Sequence, residues 1–469
     1  MKTPSTSRTP SAAALLAAAT AFTLLAAARP AAAARRPVEA PAAPPAAVER
    51  PAEASAWSFG GDFRLRQEAF DRIPLKTGAE ARGGENDYFR FRTRVRASWT
   101  PCDPVTFNVR LLHEFRHYIE PSRSHSWRWP DELVIDQLNV VLANGDGTLR
   151  AVVGRQDFMP EGAFRLFGEG TAKDGSRSSY MDAATLVARD AADRTRLTLF
   201  GAYDNAVDPL AIGDIDRDLN GYTPNDTGMD EAGAGAFLRH AFTDRFRATG
   251  YYVWKHDTAS LLADGARRPN EDIHTVGGRL EIPIAGPVGA DGELAGQWSP
   301  TSDARRRAMM AAASVHADWK ESTGKPRLAL CGLYLSGDDP GTSGDEGWNP
   351  LWGRYPWISE LLIYAYDADG AGLWQNLVQA WAEAGLAPRP GHRIRATVGP
   401  LWAPEADGPG GGHDRGWLGT ARWDFPVWHA ADGTPALLGH LFAELLLPGS
   451  YYNTDDLAYF LRWELSLAF

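Results

Sequence analysis

The fold of this chain is decided by Tyr88-Phe89-Arg90-Phe91-Arg92-Thr93-Arg94-Val95-Arg96-Ala97-Ser98-Trp99. Successive side chains of a β-strand point to opposite faces, so one face of this stretch is apolar and the other is cationic. The apolar face carries Phe89, Phe91, Val95, Ala97 and Trp99, and the cationic face carries Arg90, Arg92, Arg94 and Arg96. In a soluble sandwich the apolar face would cover a core. In a transmembrane barrel it would contact lipid, and the arginines would line an aqueous lumen.

The same alternation recurs along the chain and is clearest in its last residues, where Leu461, Trp463 and Leu465 alternate with Arg462 and Glu464. Eighteen strands are predicted near 57–70, 87–100, 104–117, 132–143, 148–157, 177–189, 194–204, 232–242, 245–257, 272–283, 291–298, 308–320, 326–336, 372–384, 391–403, 415–427, 435–447 and 457–469. Alternation is weak at 291–298 and 415–427, and residues 358–366 are compatible with another strand or a short helix.

The links between these strands alternate in length. Short links such as 101–103 and 144–147 have turn sequences, whereas 205–231 and 337–371 are long. Short periplasmic turns that alternate with long extracellular loops are typical of an outer-membrane barrel. The alternatives, a secreted sandwich or a propeller, are disfavoured because no 40–50-residue repeat occurs and because Phe469 ends an aromatic strand like those of bacterial barrels. The predicted fold class is all-β, an antiparallel up-and-down transmembrane β-barrel in the bacterial outer membrane, with outer-membrane lipid around it.

The region before the barrel has a different composition. Residues 1–34 are predicted to be a signal peptide, with basic Lys2 and Arg8, an alanine-rich apolar core and small residues at 32–34. A membrane anchor is disfavoured because the apolar run is short. Residues 35–56 are predicted to be a disordered proline- and alanine-rich leader, and 57–469 the barrel.

Composition excludes several functions. A net charge of −11 gives no indication of nucleic-acid binding, and two cysteines make no disulfide framework. No nucleophile-elbow, zinc-protease or phosphate-loop motif occurs, and His113-Glu114 and His256-Asp257 point to opposite strand faces, so we predict no enzyme and no cofactor or metal. Asp214, Asp216, Asp218 and Asn220 resemble a calcium loop, but the glycine and the distal glutamate of such a loop are not in register.

Two stretches resemble the alginate-export family of outer-membrane porins. The first comprises Val153-Gly154-Arg155-Gln156, Arg165-Leu166-Phe167-Gly168 and Ser176-Arg177-Ser178-Ser179-Tyr180-Met181-Asp182-Ala183, and the second comprises Asn349-Pro350-Leu351-Trp352-Gly353-Arg354-Tyr355-Pro356-Trp357 with Glu360-Leu361-Leu362-Ile363-Tyr364. The resemblance implies a monomeric eighteen-stranded channel that exports an anionic poly- or oligosaccharide such as alginate, together with periplasmic secretion components. The family's long plug loop is missing, because the corresponding link, 428–434, is short; this departure favours a simpler porin.

The charged residues of the inner face are the candidate site. Side chains on one face of a strand lie ~6.6 Å apart, so successive arginines can pass a carboxylate along the wall, and the planar guanidinium binds carboxylate through two hydrogen bonds. The predicted pore-lining residues are Arg64, Arg66, Arg90, Arg92, Arg94, Arg96, Arg110, Glu114, Arg155, Arg165, Arg177, Asp182 and Arg354. The acids are expected to pair with the arginines and shape a constriction. Alternatively, the arginines only support the wall electrostatically.

Three functions remain open at this point. The first is an anion-selective channel for an acidic polysaccharide, and the second is a porin for small anionic nutrients such as uronates or other carboxylates. The third is a structural or adhesive barrel whose loops bind partners.

Overall fold

The computed structural model describes residues 57–74, 86–120, 126–167, 180–205, 208–211, 230–261, 267–268, 270–300, 305–353, 356–362, 375–430 and 435–469. The predicted signal peptide and leader lie outside these residues. The described chain forms one antiparallel sheet of eighteen strands. Its first strand pairs with its last from Asp62 opposite Ala468 to Asp71 opposite Tyr459, so the sheet closes into a barrel. This confirms the predicted fold class.

All eighteen predicted strands are present. They are β1 (Trp57–Asp71), β2 (Asn86–Cys102), β3 (Val105–Glu120), β4 (Trp127–Ala143), β5 (Leu149–Asp157), β6 (Tyr180–Arg189), β7 (Thr195–Asp204), β8 (Glu231–Ala241), β9 (Arg247–Asp257), β12 (Glu271–Ala285), β13 (Val288–Trp298), β14 (Arg307–Asp318), β15 (Arg327–Leu335), β16 (Leu377–Leu386), β17 (Arg393–Trp402), β18 (Asp414–His429), β19 (Pro435–Leu447) and β20 (Ala458–Ala468). A small hairpin, β10 (Ser260–Leu261) and β11 (Arg267–Arg268), lies in the link between β9 and β12. The weakly alternating segments at 291–298 and 415–427 are strands β13 and β18.

Links of alternating length give the barrel two different ends. At the end that we call the turn end, short links join β2 to β3, β4 to β5 and β12 to β13. At the opposite end, the loop end, the longest link runs from β15 to β16. Residues 360–362 of that link are helical. Of the two alternatives for 358–366, a strand or a short helix, the described residues therefore show the helix. A second short helix, α1 (Phe164–Phe167), lies in the link between β5 and β6.

The outer face of the barrel is apolar. Leu330 and Leu294 are 69% and 64% exposed, and many leucines, valines and isoleucines on other strands share this exposure. An apolar surface this large on an isolated chain indicates that lipid or a partner protein covers it. The inner face carries most of the buried arginines, glutamates and aspartates. Among the described residues, no helix is long and apolar enough to cross a membrane.

Candidate functional site

Four arginines face one another across β1 and β2. Arg66 lies opposite Arg90, and Arg64 lies opposite Arg92. Their exposed fractions are only 1–8%. Like charges directly opposite on neighbouring strands are unfavourable, so this block requires carboxylates between its members.

The neighbouring strands supply those carboxylates. Glu114 of β3 contacts both Arg90 Nε and Arg64 Nη2, the latter at 3.6 Å. Glu464 of β20 accepts a hydrogen bond from Arg66 Nε at 2.8 Å. Glu68 of β1 accepts one from Arg66 Nη1 at 3.0 Å. The predicted pairing of Glu114 with the arginines is therefore present, and the arginines form a charge-compensated wall.

Toward the turn end the same wall becomes accessible to water. Asp62 pairs with Arg92 Nη2 at 3.2 Å and with Arg94 Nε at 2.8 Å, and Arg94 is half-buried. Arg96, the next arginine on that face, is exposed. Arg110 of β3 was predicted to extend the positive wall, but two aspartates neutralise it. Its Nε lies 2.8 Å from Asp136 Oδ1 and its Nη2 lies 2.7 Å from Asp157 Oδ1. Arg94 and Arg96 are thus the arginines of β2 that solvent reaches most easily.

Arg462 of β20 extends the row toward the loop end. Its Nη1 lies 3.5 Å from Glu68 Oε1, which also binds Arg66, and its Nε donates to His440 Nε2 at 3.0 Å. We define the arginine row as Arg64, Arg66, Arg90, Arg92, Arg94 and Arg462. Sequence reasoning placed Arg462 and Glu464 on the inner face of the last strand but left them out of the site. Their place in the site could have been predicted, because a closed barrel pairs β20 with β1.

A segment of the β15–β16 link folds into the lumen. We call its described residues, 348–353 and 356–362, the inward segment. At one side, Leu351 O accepts a hydrogen bond from Lys255 Nζ of β9 at 3.3 Å. At the other side, Glu360 Oε1 lies 2.9 Å from Arg462 Nη1 of β20. Since β9 and β20 are nine strands apart in either direction around the barrel, the inward segment crosses the lumen between opposite walls.

Apolar packing holds the inward segment in place. Trp348, Leu351, Leu361 and Leu362 are buried. Gly233 of β8 lies so close to Trp352 that a Cβ there would be 2.3 Å from the indole Cη2. Asn349 N and O exchange hydrogen bonds with the Gln297 side chain of β13 at 2.9 Å and 2.7 Å. Backbone polar groups inside a lumen need such partners, and the wall provides them.

The two stretches that resemble the alginate-export family meet inside the barrel. Trp352 N donates to Leu166 O at 2.9 Å, and the rings of Phe167 and Trp352 stack 5.3 Å apart. Arg165 pairs with Glu293 of β13, and its guanidinium lies 5.2 Å from the Trp357 ring. Arg165 therefore has partners inside the barrel, and its place in a constriction stays a prediction.

Arg155 and Asp182 form a closed pair. Two parallel hydrogen bonds of 2.8 Å join Arg155 Nε and Nη2 to the Asp182 carboxylate. Asp208 binds the same guanidinium at 2.8 Å, and Tyr180 covers it. These contacts do not support the predicted role of Arg155 in an open positive wall. They indicate instead that Arg155 links β5 to β6 and to the loop that follows β7. Arg177 and Arg354 lie outside the described residues.

The wall opposite the arginine row is acidic. Lys255 lies between Glu231 and Asp257 at 2.8 Å and 2.9 Å, and Arg306 binds Glu271 at 2.7 Å. Arg306 also binds Asp345, at 2.7 Å. Burial raises the pKa of Asp345, a loop residue, and the positive charge of Arg306 opposes that rise. Within the described ranges, no group of three or more His, Cys, Asp or Glu side chains is arranged to hold a metal ion; the calcium-like residues 214–218 lie outside those ranges.

The barrel is similar to solved structures of Occ and Opd proteins. The outer membrane protein OpdK from Pseudomonas aeruginosa matches with a TM-score of 0.54 at 13% identity, over 88% of this chain and 99% of that chain. OccK5 (OpdH) from the same bacterium gives 0.52 at 14% identity, over 87% and 97%. OccAB1 from Acinetobacter baumannii gives 0.52 at 11% identity, over 88% and 96%. No family model matches the sequence, and neither does any curated protein.

Identities this low show a shared fold. The fold is that of outer-membrane β-barrels such as OpdK, in agreement with the predicted location in the bacterial outer membrane. Membership of the alginate-export family is not shown by these matches and stays a prediction.

Proposed function

We propose that this barrel is an outer-membrane channel for small anions that carry a carboxylate. The observation that carries the proposal is the arginine row, which runs along one wall from Arg462 near the loop end to Arg94 near the turn end. Guanidinium groups bind carboxylates through charge-assisted hydrogen bonds. Each arginine already contacts a wall carboxylate, so an entering anion must displace that carboxylate from the guanidinium. The net gain is small, and binding of the anion therefore stays weak enough for release.

The inward segment favours small anions over a polymer. It crosses the lumen between β9 and β20 and leaves a permeating molecule less room than an open barrel of the same strand number. A similar fold has been solved with a small carboxylate, since one OpdK structure, with a TM-score of 0.54 and 12% identity to this chain, contains vanillate. Export of an alginate-like polyuronate, the function that the family resemblance implies, is the second candidate.

Planar-bilayer recording of the purified full-length chain tests the proposal. In a KCl gradient we expect a reversal potential on the anion-selective side, and we expect millimolar benzoate, but not neutral benzamide, to reduce the chloride current. Block by oligouronates and not by benzoate would favour the polymer. A closed barrel without conductance would overturn both transport functions and leave the structural or adhesive barrel.

A further inference from the structure

The inward segment carries a carboxylate of its own into the arginine row. Glu360 Oε1 lies 2.9 Å from Arg462 Nη1. Both residues are buried, and the Arg462 guanidinium also lies over the rings of Phe442 and Phe460, at 5.2 Å and 5.5 Å. In this environment an ion pair is screened by little water, so the charge of Glu360 acts strongly on Arg462.

Arg462 is coupled directly to the rest of the row. Glu68 Oε1 lies 3.5 Å from Arg462 Nη1 and accepts a hydrogen bond from Arg66 Nη1 at 3.0 Å. Arg66 in turn donates to Glu464. Glu360 therefore contacts the arginine of the row that lies nearest the loop end.

The wall holds the backbone of the inward segment separately from the Glu360 carboxylate. Glu444 of β19 accepts hydrogen bonds from the Ser359 hydroxyl and from Glu360 N, the latter at 2.8 Å. Ser359 Oγ accepts a further hydrogen bond from Leu362 N at 3.0 Å. Leu361 and Leu362 are fully buried. The segment thus has anchors that do not depend on the charge of Glu360.

Wall carboxylates on three strands contact the row, and they include Asp62, Glu68, Glu114 and Glu464. Glu360 differs from these four, because it comes from a loop and not from the wall. A loop carboxylate can be displaced without breaking the sheet.

We propose that Glu360 is a specificity-determining residue: a tethered carboxylate that competes with permeating anions for Arg462 and thereby sets both anion selectivity and the affinity for carboxylates. This inference rests on the proposed anion channel. A permeating carboxylate replaces Glu360 at Arg462, and Glu360 returns when the anion moves on to Arg66. The exchange keeps the guanidinium paired at every stage and prevents tight binding of the anion, which would slow transport.

A simpler role for Glu360 is neutralisation of a buried arginine. Removal of one partner of a buried ion pair destabilises a protein. Under that role alone, Glu360→Gln would lower the stability of the barrel and leave selectivity and carboxylate affinity unchanged. The two roles therefore differ in what a bilayer recording measures.

The test compares wild type and Glu360→Gln as full-length chains in planar bilayers. We expect the chloride-to-potassium permeability ratio to rise severalfold and the benzoate concentration for half-maximal block to fall severalfold. The matched control is Glu346→Gln, which removes a carboxylate of the same loop that accepts hydrogen bonds from Thr342 at 2.9 Å. The control is expected to keep wild-type values of both quantities.

Glu360→Asp provides a second variant in case the glutamine barrel does not fold. Its shorter side chain keeps the charge but withdraws it from Arg462, so both quantities should shift in the same direction by a smaller factor. If a folded Glu360→Gln or Glu360→Asp barrel keeps the selectivity and benzoate affinity of the wild type, the proposed role of Glu360 is wrong. The channel itself remains supported in that case, provided that the wild-type barrel is anion-selective. A wild type without anion preference would instead overturn the proposed function itself.

Discussion

Arg66 of β1 donates from Nε to Oε2 of Glu464 of β20 at 2.8 Å, across the junction between the first and last strands. The two residues are directly opposite in the β1–β20 register. Arg64 Nε lies 3.7 Å from the same carboxylate. The Glu464 carboxylate therefore takes part both in the junction that closes the barrel and in the arginine row.

Glu464→Gln should weaken that junction. The substitution keeps the shape of the side chain but leaves Arg66 and Arg64 with one fewer negative charge in a poorly hydrated site, so we expect a loss of roughly 3 kcal/mol in the free energy of unfolding. Urea unfolding in detergent micelles or lipid vesicles measures it. Glu281→Gln is the control, because Glu281 pairs with Arg247 at 3.3 Å where both side chains are well exposed, and we expect a change of at most ~1 kcal/mol. Equal losses in the two variants would contradict the importance of the junction.

Arg94→Glu should shift selectivity toward cations. Arg94 is half-buried and pairs with Asp62, so charge reversal places two carboxylates together at the part of the row that water reaches. We expect the chloride-to-potassium permeability ratio to fall severalfold, as measured from the reversal potential in a KCl gradient. Arg194→Glu makes the same charge change at an exposed turn between β6 and β7 and should leave the ratio close to wild type. A similar shift in both variants would indicate a general surface-charge effect.

Gly233→Val should displace the inward segment. A Cβ at this position would lie 2.3 Å from Trp352 Cη2 and 2.8 Å from Trp254 O, so valine forces the indole away from the wall of β8. Overpacking of this kind costs about 1–3 kcal/mol, and we expect a larger and noisier single-channel conductance. The control is Gly250→Val on the adjacent strand β9, where nothing lies within 4 Å of the added Cβ. An unchanged conductance in Gly233→Val would show that Trp352 does not limit the passage.

Leu294→Arg should destabilise the barrel from its outer face. Leu294 is near the middle of β13 and is 64% exposed, so an arginine there places its charge in the hydrocarbon region. We expect a loss of about 2–4 kcal/mol in the free energy of unfolding from lipid vesicles. Leu294→Ala shortens the side chain without a charge and should cost far less. Comparable losses in the two variants would mean that this face does not contact lipid.

Much of the barrel follows from short-range sequence patterns. Alternation along 88–99 correctly assigns the arginines of β2 to the inner face, and turn sequences such as 144–147 locate the short links. Strand ends are less accurate: β16 begins at Leu377, whereas alternation predicts a start near 372. Side chains near a strand end belong equally to the loop, so periodicity alone does not locate the last residue of a strand.

The inward segment and the partners of the arginines follow from no local pattern. Residues 337–371 have the length of a long loop, and length does not tell whether a loop folds into the lumen or away from it. That choice depends on contacts of Leu351 with Lys255 and of Glu360 with Arg462, which lie 96 and 102 residues apart. Arg155 shows the same limit, since its strand position suggested an open wall and Asp208 closes it.

The sequence by itself determined where the strands lie and which face of β2 carries its arginines, because a two-residue period is a property of neighbouring residues. Only the tertiary structure decided which charges compensate one another and which remain accessible. The pairing of Arg66 with Glu464, 398 residues apart, exists because the barrel closes. The stretch 88–99 thus carries half of the arginine row, and closure of the barrel brings the other half, from β1 and β20, next to it.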